Sequence, residues 1–539
     1  MKEVRVRYAP SPTGMQHIGG VRTALFNYLF AKANNGTFIL RLEDTDRTRY
    51  GEEFVQNLYD TLDWLNIEWD EGGSKGGEYG PYVQSERVDL YTKHAMKLVE
   101  KGEAYYCFCD TERLNRIRLI QQKNKMAPGY DRNCRHLTQA EVKETLDKGL
   151  PYVIRLKVPL EGITCFCDAL LGDIEWKNED ISPDPVLLKT DGFPTYHLAN
   201  IVDDHFMKIT HVMRAQEWIP STPLHVQIYR AFGWEPPVFC HLPMVNGSDG
   251  HKLSKRHGAT SVNEFMARGY LPEALINYVG MLGCSYEDGR DMYTLSDMAA
   301  LFKMEHLNKA GAVFDYKKLE WFNGQYIRNL SDEELLERIL PFITFTGIST
   351  IPINETEEFA APKIGPKYSG VKYLNDDPAT DKLILADPTM KEIICAHVDA
   401  DTATQDVAIR NKLREVVPLI KERLHFLTDA AEIISFLFKN VRIPSVEKII
   451  PKRLDKEQTK GVLEQAIKYI ESMKNLEPDA QEQLARDTAK ELGIKMGDFM
   501  MPIRWAVTGS KISPPLMGSI MVLGPDIAIK RIKDALADF

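Results

Sequence analysis

The chain has 539 residues, 44% hydrophobic and 27% charged, with 35 Gly and 29 Pro, an ordinary globular composition that excludes a disordered, collagen-like or membrane protein. Its formal charge of -10, from 67 Lys+Arg against 77 Asp+Glu, excludes a uniformly basic nucleic-acid coat but allows a local basic face. Eight cysteines are too few for a disulfide scaffold, no apolar run spans a bilayer, and the start Met1-Lys2-Glu3-Val4-Arg5 shows neither secretory signal nor transit peptide, so a reduced, cytoplasmic, multidomain protein is expected.

Val4 to Ala9 alternates as a strand. The loop Pro10-Ser11-Pro12-Thr13-Gly14 follows, and after His17-Ile18-Gly19-Gly20 the residues Val21, Ala24, Leu25, Tyr28 and Leu29 fall on one helical stripe. Asn34-Asn35-Gly36 stops that helix, and Thr37 to Leu42 reads as a second strand. This β-loop-α-β unit predicts the opening of a parallel, doubly wound α/β sheet. From Cys107 to Leu150 the composition turns Arg/Lys/Gln-rich, as in an insertion, and strand signals return at Tyr152-Val153-Ile154-Arg155-Leu156-Lys157. Beyond about residue 260 the pattern is mainly helical, with a helix start at Ser331-Asp332-Glu333-Glu334. Prolines break the period over 345–405, read as a loop-rich insertion, before helical patterns resume at 410–440 and 457–472.

Two loops carry candidate chemistry. The first, Pro10 to Gly20, sits between strand and helix, where free N–H groups suit a phosphate, Gly19 and Gly20 let a nucleotide approach the backbone, and His17 is placed to donate a hydrogen bond. An ordinary Gly-rich turn with a surface histidine explains it equally well. The second, Gly250-His251-Lys252-Leu253-Ser254-Lys255-Arg256-His257-Gly258, is a cationic loop suited to closing over a polyphosphate, or else a solvated basic turn.

Together the two loops resemble the two signatures of class I aminoacyl-tRNA synthetases. The strings "RYAPSPTG", "LRLEDTDR", "DGFPTYHLANIVDDH", "MRAQEW" and "KLSKRHG", with "WAVTGSKISPP" near the C-terminus, resemble bacterial-type glutamyl-tRNA synthetases over almost the whole chain. The resemblance implies a Rossmann-like catalytic domain in two halves, 1–106 and 196–260, around an acceptor-binding insertion at 107–195. A helical stem-contact domain, 261–330, and a mainly α-helical anticodon-binding region, 331–539, would follow. It implies ligation of L-glutamate to tRNA(Glu) through glutamyl-adenylate, by a monomer using ATP with Mg²⁺. By the same resemblance His17, Lys252 and Lys255 are catalytic. His17, Gly19, Gly20, Glu217, Trp218, Lys252, Ser254 and Lys255 contact ATP, and Arg7, Ser11, Glu43, Tyr196, Asn200 and Arg214 contact glutamate. Arginine suits that substrate because its fork gives a carboxylate two parallel charge-assisted hydrogen bonds. Asp44, Asp46, Asp203 and Asp204 either hold water or Mg²⁺ near the phosphates or cap helices and turns.

Cys107, Cys109, Cys134 and His136 form C-x-C-x24-C-x-H, a donor set for tetrahedral structural zinc that matches the insertion of some family members. Cys165 and Cys167, with no role in that pattern, read as apolar core residues, and Cys240, Cys284 and Cys395 as lone buried ones. Residues 411–460 carry eleven Lys/Arg against seven Asp/Glu, a reversal of the overall charge that suits an RNA backbone. Within them Phe426, Phe436 and Phe438 are base-stacking candidates that helical spacing equally assigns to a core. The rival readings are a glutaminyl-tRNA synthetase and a catalytically silent tRNA-binding paralogue.

Overall fold

The computed structural model describes residues 3–343, 402–437, 441 and 445–539. It forms two compact units, Met1–Asn263 with Ile276–Asp315, and Glu264–Leu275 with Tyr316–Phe539.

In the first unit the predicted opening is present. Strand β1 (Arg5–Tyr8) leads through the Pro/Gly loop to a helix, Ile18–Ala33, and strand β2 (Thr37–Leu40) returns parallel to β1 with Arg7 opposite Ile39. β3 (Glu71–Gly72) extends the sheet on the far side of β2. The helix buries Val21, Ala24, Leu25 and Leu29 as their spacing requires, leaves Tyr28 of that stripe half-buried, and also buries Phe26, Asn27 and Phe30. It is covered on two sides, by β1 and by the helix Leu295–Leu301, so its burial exceeds a single stripe.

β4 (Ala104–Cys107) pairs antiparallel with β5 (Val153–Leu156), the strand expected after Leu150. β6 (Ile163–Asp168) and β7 (Gly172–Lys177) form an antiparallel hairpin, and β8 (Val186–Leu188) completes the β4-β5-β8 sheet. β9 (His211–Ala215) and β10 (Val238–Leu242) are parallel, and β6 pairs with β10, so the hairpin extends the sheet that carries Arg214. Thr210, at the start of β9, donates its N–H to the Arg5 carbonyl at 2.9 Å, which sets β1 beside β9. Arg7 and Arg214 thus lie toward the C-terminal ends of neighbouring strands, where open α/β sheets bind ligands. Short strands β11 (Val245–Asn246) and β12 (Ala312–Val313) pair beneath the lysine loop.

The second unit is helical. Its apolar core draws Leu335, Leu336 and Ile339 from Asp332–Ile343, Leu463 and Ile470 from Lys456–Met473, and Ile503, Ile520 and Ile532 from the C-terminal helices. The insertion predicted at 345–405 lies outside the described residues as far as residue 401. Its last four positions begin the helix Thr402–Ile420. No helix among the described residues is long and apolar enough to cross a membrane.

Candidate active site

The two signature loops are joined by backbone. Ile18 N–H donates to the Thr260 carbonyl at 3.0 Å and Val262 N–H to the Gln16 carbonyl at 3.0 Å, so the exit of the lysine loop is zipped onto the entrance of the first helix. His17 caps that helix: its Nδ1 accepts the N–H of Gly19 at 3.1 Å and of Gly20 at 3.3 Å. Val21 N–H reaches the His17 carbonyl. All four amides of the first turn are therefore occupied, which corrects the expectation of a helix end with free N–H groups. With Nδ1 accepting, the ring's proton sits on Nε2. The two glycines also answer to neighbours within the protein. A Cβ on Gly19 would stand 3.1 Å from the His17 ring, and one on Gly20 would stand 2.7 Å from the Tyr8 hydroxyl, itself bonded to Gln16 at 2.8 Å.

Burial, and then the charge on Lys252, lower the pKa of His17, while Glu217 opposes them, so the imidazole and the lysine loop share one electrostatic environment. Lys252 is ion-paired with Glu217. Lys255 opens a 3-10 turn, Lys255–His257, and its ammonium makes no ion pair among the described residues. The loop is braced: Ser254 N–H donates to His257 Nδ1 at 3.0 Å, and Asp249 meets Arg256 at 2.8 Å and His257 at 3.0 Å. The hydrogen bond from His257 is the largest of several that pull the Asp249 carboxyl down to about 2. Trp218, beside Glu217, lies against Tyr196 with ring centroids 4.4 Å apart.

The proposed glutamate residues converge below these loops, and burial divides them. Arg7 is 4% exposed and binds Asp204 through Nε at 3.1 Å and Nη2 at 3.3 Å, the latter shared with Asn200. Asp204 also accepts from Arg41 at 2.7 Å, and Arg41 reaches Glu43 and Asn200, each at 2.9 Å. Asp203 accepts from Arg87 at 2.7 Å, Tyr91 at 2.8 Å and Gln84 at 2.9 Å. Burial raises the carboxyl of Asp203 and of Glu43. Burial would raise that of Asp204 too, but Arg7 and Arg41 outweigh it and hold it below its ordinary value.

These contacts correct the alternative that Asp203 and Asp204 face Mg²⁺; both are spent on buried arginines. Asp44 instead caps Ser85 N–H at 2.8 Å, and Asp46 binds Thr48 and Arg49, as the capping alternative holds. Arg41, given no role in the sequence, is the residue that joins Glu43, Asn200 and Asp204. Its only signal is its place in "LRLEDTDR". Ser11 is exposed, one residue from Pro10, whose carbonyl receives the Glu43 N–H at 3.1 Å.

Arg214 differs from Arg7. It is 5% exposed, and its contacts are neutral: Nε to His241 Nε2 at 3.2 Å, Nη1 to Tyr196 Oη at 3.3 Å and His225 Nδ1 at 3.2 Å, and Nη2 to Thr222 Oγ1 at 2.9 Å. No carboxylate among the described residues lies within ion-pair distance. Burial, then the like charge of Arg7, lower its pKa. A buried guanidinium without a counter-ion is costly unless a ligand supplies the charge.

In the insertion, the thiols of Cys107, Cys109 and Cys134 lie within 4.8 Å of one another. His136 does not join them. It is exposed, at the end of the 3-10 turn Asn133–His136, where positions two apart point in different directions. The Tyr130 hydroxyl takes its place, 3.2 Å from Cys107 Sγ, 3.6 Å from Cys109 Sγ and 3.0 Å from the Cys134 N–H. The three thiols and the phenol oxygen gather four donor atoms in one place, the number that a tetrahedral metal site takes. Cys165 and Cys167 are exposed on β6, which corrects their reading as core residues. Their alternating neighbours Thr164, Phe166 and Asp168 face inward instead.

Comparison with known proteins adds identity to this geometry. The catalytic-domain model of class I tRNA synthetases for E and Q matches residues 3–321, and an anticodon-binding-domain model matches 388–536. A glutamate–tRNA ligase of Treponema denticola is 61% identical over 536 residues, 99% of each chain. The chain belongs to the glutamate–tRNA ligase family. Another ligase of the family, from Borrelia duttonii, is 47% identical over 99% of this chain and 95% of its own. A crystal structure of a glutamate–tRNA ligase from Elizabethkingia meningosepticum, in complex with its amino acid, superposes with a TM-score of 0.81 at 32% identity, covering 99% of each chain. Like other ligases of the family, the chain thus pairs a class I catalytic domain with a helical anticodon-binding domain.

On the basic stretch 411–460, Arg414 pairs with Glu333 at 2.8 Å, Lys421 with Asp332 at 3.2 Å and Arg453 with Asp498 at 3.5 Å. Phe436 is buried in the core, and Phe426 is half-buried with its ring edge-on to Tyr270; Phe438 lies outside the described residues, as does Cys395.

Proposed function

We propose that the chain ligates L-glutamate to tRNA(Glu). The observation that carries this reading is Arg214, a buried guanidinium with only neutral partners, in a chain 61% identical to a glutamate–tRNA ligase. The substrate's side-chain carboxylate supplies the missing counter-charge, with Arg7, Tyr196, Asn200, Glu43 and Ser11 around the rest of the amino acid. Glutamine would leave Arg214 facing an amide, at a cost of a few kcal/mol.

In the first step a glutamate α-carboxylate oxygen attacks the ATP α-phosphorus, and the bond to pyrophosphate breaks. No protein nucleophile is needed; the site positions the reactants and stabilises charge. His17 donates from Nε2 to a phosphate oxygen, since its Nδ1 is occupied as a cap. Lys252 and Lys255 take up charge that moves onto pyrophosphate, with Ser254 between them. Glu217 and Trp218 border the nucleotide, and Gly19 and Gly20 let His17 and Tyr8 pack beneath it. Mg²⁺ accompanies the ATP phosphates. In the second step the 2′-hydroxyl of the terminal adenosine attacks the adenylate carbonyl, and AMP leaves. The chain works as a cytoplasmic monomer with the helical half on the anticodon.

Cys107, Cys109, Cys134 and Tyr130 would hold zinc, which braces the insertion when bound; His136 stays outside the set.

ATP–pyrophosphate exchange with glutamate, with and without tRNA and with glutamine as control, tests the reading. Exchange with glutamate plus tRNA alone is expected. Folded protein that binds tRNA but supports no exchange would mark a silent paralogue, and exchange with glutamine a glutaminyl enzyme.

A further inference from the structure

Arg7 and Arg214 are both buried, yet Arg7 is neutralised by Asp204 while Arg214 is held by an imidazole whose far side meets a carboxylate. We propose that Asp168 and His241 are positioning residues for glutamate selection, holding Arg214 with a neutral acceptor so that the substrate carboxylate is its counter-ion. This rests on the assignment of Arg214 to the substrate.

Asp168 Oδ2 lies 2.7 Å from His241 Nδ1 and also accepts the His241 N–H at 3.0 Å. Its other oxygen accepts the N–H of Leu170 at 3.0 Å and of Leu171 at 2.9 Å. A carboxylate so held keeps the imidazole proton on Nδ1, which leaves the Nε2 lone pair facing the Arg214 Nε–H at 3.2 Å and the Thr222 hydroxyl at 3.1 Å. The opposite tautomer would set N–H against N–H.

Asp168 is 1% exposed and His241 0%, so neither partner can be replaced by water without disturbing β6 and β10. A carboxylate directly on Arg214 would compete with the substrate; one placed behind an imidazole orients the fork without occupying it. Of the five guanidinium N–H groups, four meet His241, Tyr196, His225 and Thr222, and the fifth, on Nη2, remains for a ligand. A ligand that displaces the 3.3 Å contact to Tyr196 gains a second.

The test measures KM for glutamate and for ATP, with kcat, in tRNA-dependent exchange, for Arg214→Gln, Asp168→Asn, His241→Leu and His241→Gln. Asp168→Asn turns the imidazole donor toward Arg214, His241→Leu deletes the acceptor, and His241→Gln restores an oxygen near the Nε2 position. Losing a hydrogen bond to a charged group should raise the glutamate KM about tenfold or more in Asp168→Asn and His241→Leu, with ATP KM within about twofold. His241→Gln should recover most of it.

A glutamate KM unchanged in Asp168→Asn and His241→Leu while Arg214→Gln raises it would overturn the proposal and spare the substrate assignment. Equal rises in both KM values, or no recovery in His241→Gln, would show a structural role only and also overturn it. An unchanged KM in Arg214→Gln removes the assignment and the proposal together. If His241→Leu does not fold, Asp168→Asn and His241→Gln decide between these outcomes.

Discussion

His17 Nδ1 faces the Gly19 N–H at 3.1 Å, so the side chain assigned to phosphate also caps the helix behind it. The two duties separate by substitution. His17→Ala should cost about 1 kcal/mol in urea unfolding, the usual loss of an N-cap, whereas His17→Asn should keep that stability because asparagine caps well. Both should lower kcat for exchange, by about 100-fold. Because the folded pKa of His17 lies below its ordinary 6.5, its contribution to stability is complete above that pH and is lost as pH falls through the folded value. His17→Asn should show no such loss.

Gly20 tests the packing beneath the first loop. A Cβ there stands 2.7 Å from the Tyr8 hydroxyl and 3.9 Å from Tyr8 Cζ. Gly20→Ala should therefore destabilise by about 2 kcal/mol through overpacking. In a Tyr8→Phe background the added cost should fall by half or more, a coupling that a double-mutant cycle of urea midpoints measures.

Asp204 binds Arg7 and Arg41 together. Asp204→Asn should cost about 3 kcal/mol, since two buried guanidinium groups lose their shared counter-ion. Its carboxyl is held below the ordinary 3.8, so its contribution is present above that pH and is lost as pH falls through the folded value. Denaturant midpoints followed into acid should therefore fall more steeply for the parent than for Asp204→Asn, with the two converging. Asp203 and Glu43, whose carboxyls are raised by burial, oppose this trend, and Glu43 does so less in Asp204→Asn, where the neighbouring negative charge that helps raise it is gone.

Lys255 and Lys252 should respond differently. Lys252 is paired with Glu217, and Lys255 has no ion pair among the described residues. Lys255→Ala should lower kcat by about 100-fold or more at unchanged glutamate KM and melting temperature. Glu217→Gln releases Lys252 and should raise the salt dependence of the ATP KM, as an unpaired exposed cation is more readily screened.

The thiol cluster predicts its own metal content. Elemental analysis should find one zinc per chain, retained in His136→Ala and lost in Cys109→Ser. Chelation should lower the melting temperature of the parent and leave that of Cys109→Ser unchanged.

Much of this was legible in the sequence. The stripe Val21, Ala24, Leu25, Leu29 and the stop at Asn34-Asn35-Gly36 mark the first helix because period and cap are local properties. Arg7 and Arg214 stand in the motifs that carry the family resemblance. What escaped depends on distant partners. Nothing near Arg41 announces that its counter-charge includes Asp204, 163 positions away. Tyr130 belongs to no spacing rule, whereas His136 satisfies one and misses the site. Cys165-x-Cys167 reads as well inward as outward, because a one-residue change of register exchanges the faces of a strand. Asp168, an inward residue of that same strand, is hidden by the same ambiguity.

The pairing of β6 with β10 bears on how the segment 107–195 can be exchanged between relatives. Treated as a cassette, it would carry Asp168 with it and deliver a foreign strand to the sheet of Arg214. A chimera cut after Leu156 and resumed before Val186 exchanges β6 and β7, and with them the strand paired to β10. One that exchanges only the stretch from Cys107, the last residue of β4, to the start of β5, and keeps the hairpin, transplants the thiol cluster and leaves Asp168 in place. The modular border that charge and composition suggest is not where the backbone hydrogen bonds end.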